Sequence, residues 1–326
     1  MEYNAFLAML QEKLKSYLDK VGFEGKTRIR KVLKNNGVEL DALIVVREDT
    51  SASPTIYLNC YYEQYMVGRN VEDIIKEIYS MFSRKLEDID FSIEEFTDFN
   101  KIKDRIVYKV INTEKNKRLL DKIPHIDILD LSIVFYCIIK CDKSENATTL
   151  IYNHNLPLWG VKVEELFEIA KENTPKQLPW EIRSMEDIIL EMISEKSGCQ
   201  VNEAGYYNGE EYNMEADELT SLIMEEIRKE DEPKMYVLTN VYRMHGAATM
   251  FYEGVLKSFA EEHQKDIIIL PSSVHEVIII PVEKHMAPED FESVINEVNE
   301  EQVIPEEVLS NHAYIYVRSD DKIYIR

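Results

Sequence analysis

The sequence predicts an α+β protein of two or three lobes, and three observations carry that expectation. Amphipathic helical segments and short apolar, strand-like runs are interleaved along the chain without a regular β-α alternation. From residue 235 onward the elements fall in the order β-α-β-β-α-β, the split βαβ or ferredoxin-like order. The 326 residues, 45% hydrophobic and 30% charged, suffice for about two domains and are too apolar for a disordered chain.

Phe6, Leu7, Leu10, Leu14, Tyr17 and Leu18 recur at helical spacing, so residues 3–20 read as an amphipathic helix. A hairpin follows, with strands at 28–33 and 40–47 around the turn Asn35-Asn36-Gly37, then a strand at 55–58. Asn70 caps a helix whose apolar face is Val71, Ile74, Ile75, Ile78 and Phe82. The middle section reads as a strand at 105–111, a short helix at 114–120, strands at 129–139 and 148–152, and a helix at 163–171 that ends before Pro175. Ser184 caps a helix over 184–195, and the glycines at 198, 205 and 209 mark a loop before a charged helix at 216–229. The last section reads as a strand at 235–239, a helix at 246–262, strands at 266–270 and 274–280, a helix with Pro288 just inside its start, and a strand at 313–317. The expected division is an N-terminal lobe (1–100), a middle lobe (101–200), an acidic loop and helix (201–232) and a C-terminal lobe (233–326).

Charge is strongly uneven. The formal net charge is −23, from 38 basic and 61 acidic side chains. Residues 1–180 hold 26 basic and 29 acidic residues, whereas 181–326 hold 12 and 32, a net of −20. Residues 203–232 are the densest part, with 11 acids and 2 bases, and residues 101–122 run the other way, with eight bases and three acids. An acidic C-terminal half repels nucleic-acid backbone and acidic membrane, so no direct nucleic-acid binding through it and no membrane partner is expected. A solvated face that aids solubility is the plain reading, and binding of a basic protein is the sharper one. No apolar run is long enough for a transmembrane helix, and the start shows no basic region followed by an apolar stretch, so a cytoplasmic protein is expected.

Complete catalytic motifs fail one by one. Gly22-Phe23-Glu24-Gly25-Lys26-Thr27 imitates the end of a P-loop, but its first glycine would fall on Lys20, and a helix precedes where a strand should. His275-Glu276 imitates a zinc-protease motif, yet its second histidine would fall on Ile279. Cys137 and Cys141, four apart on a strand, lie about 13 Å from each other, too far for one metal or a disulfide. No cofactor and no metal are expected.

One polar set remains. Ser272, Ser273, His275 and Glu276 form a compact group, with Ser273 and His275 on one strand face and Glu276 on the other, so Glu276 cannot orient His275 as a triad acid. Asn240, Arg243 and His245 follow a strand and precede a helix start at Gly246, where free amides favour anions. Against both stand a turn at Pro271-Ser272-Ser273 with locally bonded hydroxyls, and simple capping at 240–246.

The segments Tyr57-Leu58-Asn59 with Tyr61-Tyr62-Glu63-Gln64-Tyr65, Ala147-Thr148-Thr149-Leu150-Ile151-Tyr152-Asn153, and Leu270-Pro271-Ser272-Ser273-Val274-His275-Glu276-Val277 resemble an uncharacterised family. Glu297-Val298-Asn299 and Pro305-Glu306-Glu307-Val308-Leu309-Ser310 share that resemblance. The family is a domain of unknown function common in anaerobic Gram-positive gut bacteria, often near mobile elements. The resemblance spans nearly the whole chain and implies a cytosolic bacterial protein, with no activity or catalytic residue to transfer. The leading expectation is a non-catalytic protein-interaction module that uses its acidic C-terminal half. The alternatives are an enzyme or small-ligand binder built on Asn240, Arg243, His245, Ser272, Ser273, His275 and Glu276, and an acidic DNA mimic.

Overall fold

In a computed structural model of the chain, residues 1–23, 25–46, 55–88, 93–141, 146–197, 200–201, 207–208, 233–283 and 286–325 are described. Mixed helices and antiparallel sheets make it an α+β protein. It divides into two compact units, Met1–Gln177 and Leu178–Arg326. The expected charged helix at 216–229 and, apart from 201 and 207–208, the expected acidic segment 201–232 lie outside the described residues. Among the described residues no helix is long and apolar enough to cross a membrane.

The N-terminal unit opens on α1 (Tyr3–Lys20), which buries Phe6, Leu10, Leu14 and Leu18, one face at four-residue spacing. Gly22, at φ 69°, stops it, and the Phe23 N–H closes back on the Leu18 carbonyl at 3.0 Å. Strands β1 (Lys26–Leu33), β2 (Glu39–Val46) and β3 (Thr55–Tyr57) then form an antiparallel sheet in that order. Helices α2 (Asn59–Met66) and α3 (Val71–Asp88) follow, and Asn70 Oδ1 caps α3 by accepting the Glu72 N–H at 2.9 Å. Ile74, Ile75 and Ile78 of α3 meet the buried face of α1 together with Leu43, Ile56, Leu58 and Tyr61. Burying each large aliphatic side chain there stabilises the unit by about 2 kcal/mol.

Short helices α4 (Ile93–Thr97) and α5 (Phe99–Ile102) lead to a second antiparallel sheet. Its strands are β4 (Ile106–Asn112), β5 (His125–Ile128), β6 (Leu131–Cys141) and β7 (Asn146–Leu150), with α6 (Lys117–Leu120) between the first two. β6 is central, with β4 along one edge and β5 then β7 along the other. The apolar run that reads as one strand from 129 begins at Leu131, because Leu129 (φ 58°) and Asp130 form the tight turn of a β5–β6 hairpin. After α7 (Asn155–Trp159), helix α8 (Val163–Gln177) passes through Pro175 instead of ending before it. Pro175 lies in the last turn, where its fixed φ is helical and a single ladder bond is lost. Thr174 Oγ1 accepts the Tyr108 N–H at 3.1 Å and so ties α8 to the outer edge of β4, where the bond is buried.

The hairpin turn of the first sheet is pinned to the second. Asn116, 1% exposed, accepts the Asn36 N–H through Oδ1 (2.8 Å) and donates through Nδ2 to Asn36 Oδ1 (2.8 Å) and to the Asn112 carbonyl (2.8 Å). Asn116→Ala removes all three bonds and takes away the acceptor of the part-buried Asn36 N–H, so it is expected to destabilise the N-terminal unit by about 1–3 kcal/mol in urea denaturation.

The C-terminal unit is built on a six-stranded antiparallel sheet. Its elements are β8 (Trp180–Ser184), α9 (Met185–Ser197), the two-residue strands β9 (Gln200–Val201) and β10 (Tyr207–Asn208), which pair with each other, and β11 (Tyr236–Asn240). A 3-10 helix (Gly246–Phe251) and α10 (Val255–His263) precede β12 (Ile267–Leu270) and β13 (Val277–Pro281). A second 3-10 turn (Pro288–Phe291) leads into α11 (Glu292–Glu301), and β14 (Tyr314–Val317) and β15 (Lys322–Ile325) close the chain.

The lateral order is β15-β14-β12-β13-β11-β8. The chain order from β11 to β14 is the one the sequence predicts, but the ferredoxin-like lateral order is not adopted. In that arrangement the fourth strand would flank the first. Here β8 occupies the free edge of β11, and β14 pairs with β12 instead. The helix expected over 246–262 is also broken. The 3-10 segment is buried from Gly246 to Met250, and Gly254 (φ 79°) turns the chain before α10 begins.

Candidate functional site

The predicted polar residues sit at one end of β11 and β13. These strands are antiparallel neighbours with Leu238 opposite Val277, so continuing the register places Asn240 opposite His275. Both following segments are loops. β13 starts at Val277 and not at 274, so Ser273, His275 and Glu276 lie on a connection and not on alternating strand faces. The Ser273 N–H donates to the Glu276 carbonyl (3.2 Å), and Ser273 Oγ accepts the His275 N–H (3.0 Å). That is a hydroxyl-closed turn, which the serine's short side chain favours.

Asn240, fully buried, organises the opposite loop. Its Oδ1 accepts the N–H groups of Tyr242 (3.1 Å) and Met244 (3.3 Å), and its Nδ2 donates to the Met244 carbonyl (2.8 Å). This clamp holds Arg243 (φ 52°) and His245 (φ 54°) in the left-handed region, a conformation that costs each about 1 kcal/mol or more. It turns Arg243 outward to Glu191 of α9, 4.0 Å away, and Glu191 also pairs with Arg183 at 2.6 Å.

Hydrogen bonds and a ring stack join the two loops. Thr239 Oγ1 donates to the His275 carbonyl (2.8 Å), and the His245 N–H donates to His275 Nδ1 (3.2 Å). The imidazoles of His245 and His275 stack, with centroids 5.5 Å apart and planes 12° from parallel. The Ala247 N–H reaches the Val274 carbonyl at 3.3 Å. The Ala248 N–H donates to the His245 carbonyl at 3.3 Å, so at the start of the 3-10 helix the amides of Ala247 and Ala248 both have carbonyl partners.

His275 is the most constrained group in the set. Accepting the His245 N–H leaves Nδ1 without a proton, so the ring proton resides on Nε2, which faces Glu307 Oε1 at 3.3 Å. Both ring nitrogens are engaged, and neither offers a lone pair to a serine hydroxyl. The side chains of Ser272 and Glu276 make no hydrogen bond or ion pair among the described residues. The orienting carboxylate is Glu307, 32 positions downstream, which sequence proximity could not single out; the only hint was its place in the Pro305–Glu307 segment. Glu307 reaches the site because its carbonyl accepts the Val274 N–H at 2.8 Å. Among the described residues no group of three or more His, Cys, Asp or Glu could hold a metal ion. Cys137 is fully buried, and burial pushes its thiol up to about 11, which leaves it an unreactive core group.

A family model described as a family of unknown function (DUF5688) matches residues 3–318. The chain belongs to that family. No curated protein and no solved structure matches it. The DUF5688 match takes in both compact units and all seven predicted site residues, so the clamped loops and Glu307 belong to the family region of the chain.

Proposed function

We propose that this DUF5688 protein is a non-catalytic protein-interaction module that binds a basic protein surface through its acidic C-terminal unit. The observation that carries the reading is the composition of residues 286–317, which hold eight carboxylates and no Lys or Arg. Among the described residues, the ion pairs of these carboxylates run to histidines, His312 to Glu292 (3.5 Å) and His275 to Glu307 (3.3 Å). On α11 the exposed Glu297 and Glu301 alternate with Val294, which is 53% exposed, and Ile304 beyond the helix is 51% exposed. A face that mixes exposed acids with exposed branched aliphatics suits a basic, partly apolar partner. The described part of this unit holds 21 acidic and 8 basic side chains, a net of −13 that would steer such a partner during approach. The engagement of both His275 nitrogens supports a non-catalytic reading of the clamped loops, which then serve to hold the sheet end. A cytoplasmic bacterial setting is part of the same proposal.

The test uses the full chain and a partner recovered with it. Binding is expected to weaken by about tenfold or more between 0.1 and 0.5 M salt. The exposed triple reversal Glu297→Lys, Glu300→Lys, Glu301→Lys should abolish it while leaving the fold intact. A partner retained at high salt, or bound equally by the reversed variant, overturns the proposal.

A further inference from the structure

The first sheet turns a row of cations away from its core. Lys26, Arg28 and Arg30 are exposed and alternate along β1, so they stand on one face about 7 Å apart. The register sets Arg28 against Ile44 and Arg30 against Ala42 on β2, and these two against Thr55 and Tyr57 on β3. Residues of the other parity, Ile29, Leu43 and Ile56, pack into the core with the buried faces of α1 and α3. The two acids of β2, Glu39 and Asp41, share that inward parity, so the outer face of the three strands carries no Asp or Glu. Lys34 continues the row beyond Arg30 and reaches across to β3. Its ammonium lies over the Tyr57 ring, 4.4 Å from the centroid, and donates to Tyr57 Oη at 3.3 Å.

The row is unanswered. Among the described residues Lys26, Arg28 and Arg30 make no ion pair and no side-chain hydrogen bond. Their spacing is shorter than the distance over which salt screens charge, so they repel one another along a strand that cannot spread them. Single surface cations need no explanation, but a row at fixed intervals matches an anion whose charges also repeat. Successive phosphates of an extended nucleic-acid strand do so at a comparable interval. Beside the row, Leu40 and Ile44 of β2 are half-buried and offer an apolar shelf. A single strand has the same two-sided character, with a charged backbone along one edge and base faces along the other. A duplex hides its base faces and would leave the shelf bare. An anionic membrane calls for apolar side chains that project beyond the cations, and here the aliphatics are the more buried groups. β1 is also the edge strand of its sheet, which leaves the row open to a long ligand.

We propose that the outer face of β1, β2 and β3 binds single-stranded nucleic acid, with phosphates on Lys26, Arg28, Arg30 and Lys34 and bases over Leu40 and Ile44. Such a surface reads backbone charge and base faces, so it has little sequence preference. The excess acid of the chain lies in residues 181–326, and residues 1–180 are nearly balanced, with 26 bases and 29 acids. The surface belongs to the N-terminal unit and does not rest on the partner proposed for the acidic unit.

The full chain is titrated into a fluorescein-labelled oligouridylate of about 16 nucleotides, long enough for the row, and binding is read as fluorescence anisotropy. The logarithm of affinity should fall against that of salt concentration with a slope of about −3, from four neutralised phosphates. The triple variant Lys26→Gln, Arg28→Gln, Arg30→Gln should bind about tenfold more weakly or worse, with a slope near −1. A matched variant, Lys13→Gln, Lys15→Gln, Lys20→Gln, removes three exposed charges from α1 of the same unit and should bind within about twofold of the original chain. Circular dichroism checks the fold of both. A second readout needs no variant: the oligonucleotide should protect Lys26 from acetylation in the original chain and leave Lys13 reactive. No binding by the original chain, an equal loss in the two variants, or a duplex of the same length bound as tightly overturns the proposal. Capture of anionic vesicles or of a second copy of the chain by the row, in place of the strand, overturns it as well.

Discussion

Replacing Gly246 with alanine is expected to destabilise the C-terminal unit by about 3 kcal/mol or more. A β-carbon built on Gly246 overlaps Thr239 Oγ1 and the His275 carbonyl, and it stands 2.9 Å from the Asn240 amide nitrogen. Two of these three atoms are backbone, and the third belongs to a side chain already bonded to that same carbonyl. None can swing aside without parting the two loops. The loss should appear as faster hydrogen exchange in peptides covering 236–281, with peptides from β4 to β6 unaffected. Gly254→Ala is the natural control. Its φ of 79° is unfavourable to a side chain, but open space surrounds the added carbon, so the loss should stay near 1–2 kcal/mol. Equal losses at the two glycines would show that close approach at Gly246 is not what holds the loops.

Phe135→Ala is expected to cost the N-terminal unit about 3–5 kcal/mol. Phe135 is fully buried near the middle of β6, opposite Tyr108 of β4, on the face it shares with Ile133 and Cys137. Neighbouring strands on both sides prevent β6 from collapsing into the space left behind, and incomplete collapse is what places such a substitution in the upper part of the range. Urea denaturation followed by Trp159 fluorescence would report it, because Trp159 belongs to the same unit and is largely buried. A loss below about 1 kcal/mol would mean that the sheet repacks freely.

Helices and hairpins were legible where one face is buried and the pattern is local. The spacing of Phe6, Leu10, Leu14 and Leu18 and the turn at Asn35-Asn36-Gly37 needed only neighbours a few positions away. Short edge strands were not legible. Residues 180–184 carry Trp180, which is 47% exposed, together with Glu181 and Arg183, and only their pairing with β11 makes them a strand. That strand lies on the edge of β11 that the ferredoxin-like order gives to the fourth strand, and β14 stands beside β12 instead. The site followed the same logic. Asn240, His245 and His275 could be gathered because β11 and β13 are antiparallel neighbours, but Glu307 and the tautomer of His275 depend on a loop that packs from beyond α11.

The pairing of β8 with β11 also shapes how this chain can tolerate change. Ser184 lies directly opposite Tyr236, and the Met185 N–H reaches the Met235 carbonyl at 2.9 Å. The chain therefore leaves the sheet at one rung of the ladder and returns at the same rung. With exit and re-entry fastened side by side, the detour between them carries none of the six-stranded sheet's register, and lengthening it to twice its size would add only about 0.6 kcal/mol of closure entropy. That doorway is where a fluorescent domain, an affinity tag or a naturally expanded segment could be spliced in while the six-stranded sheet keeps its order.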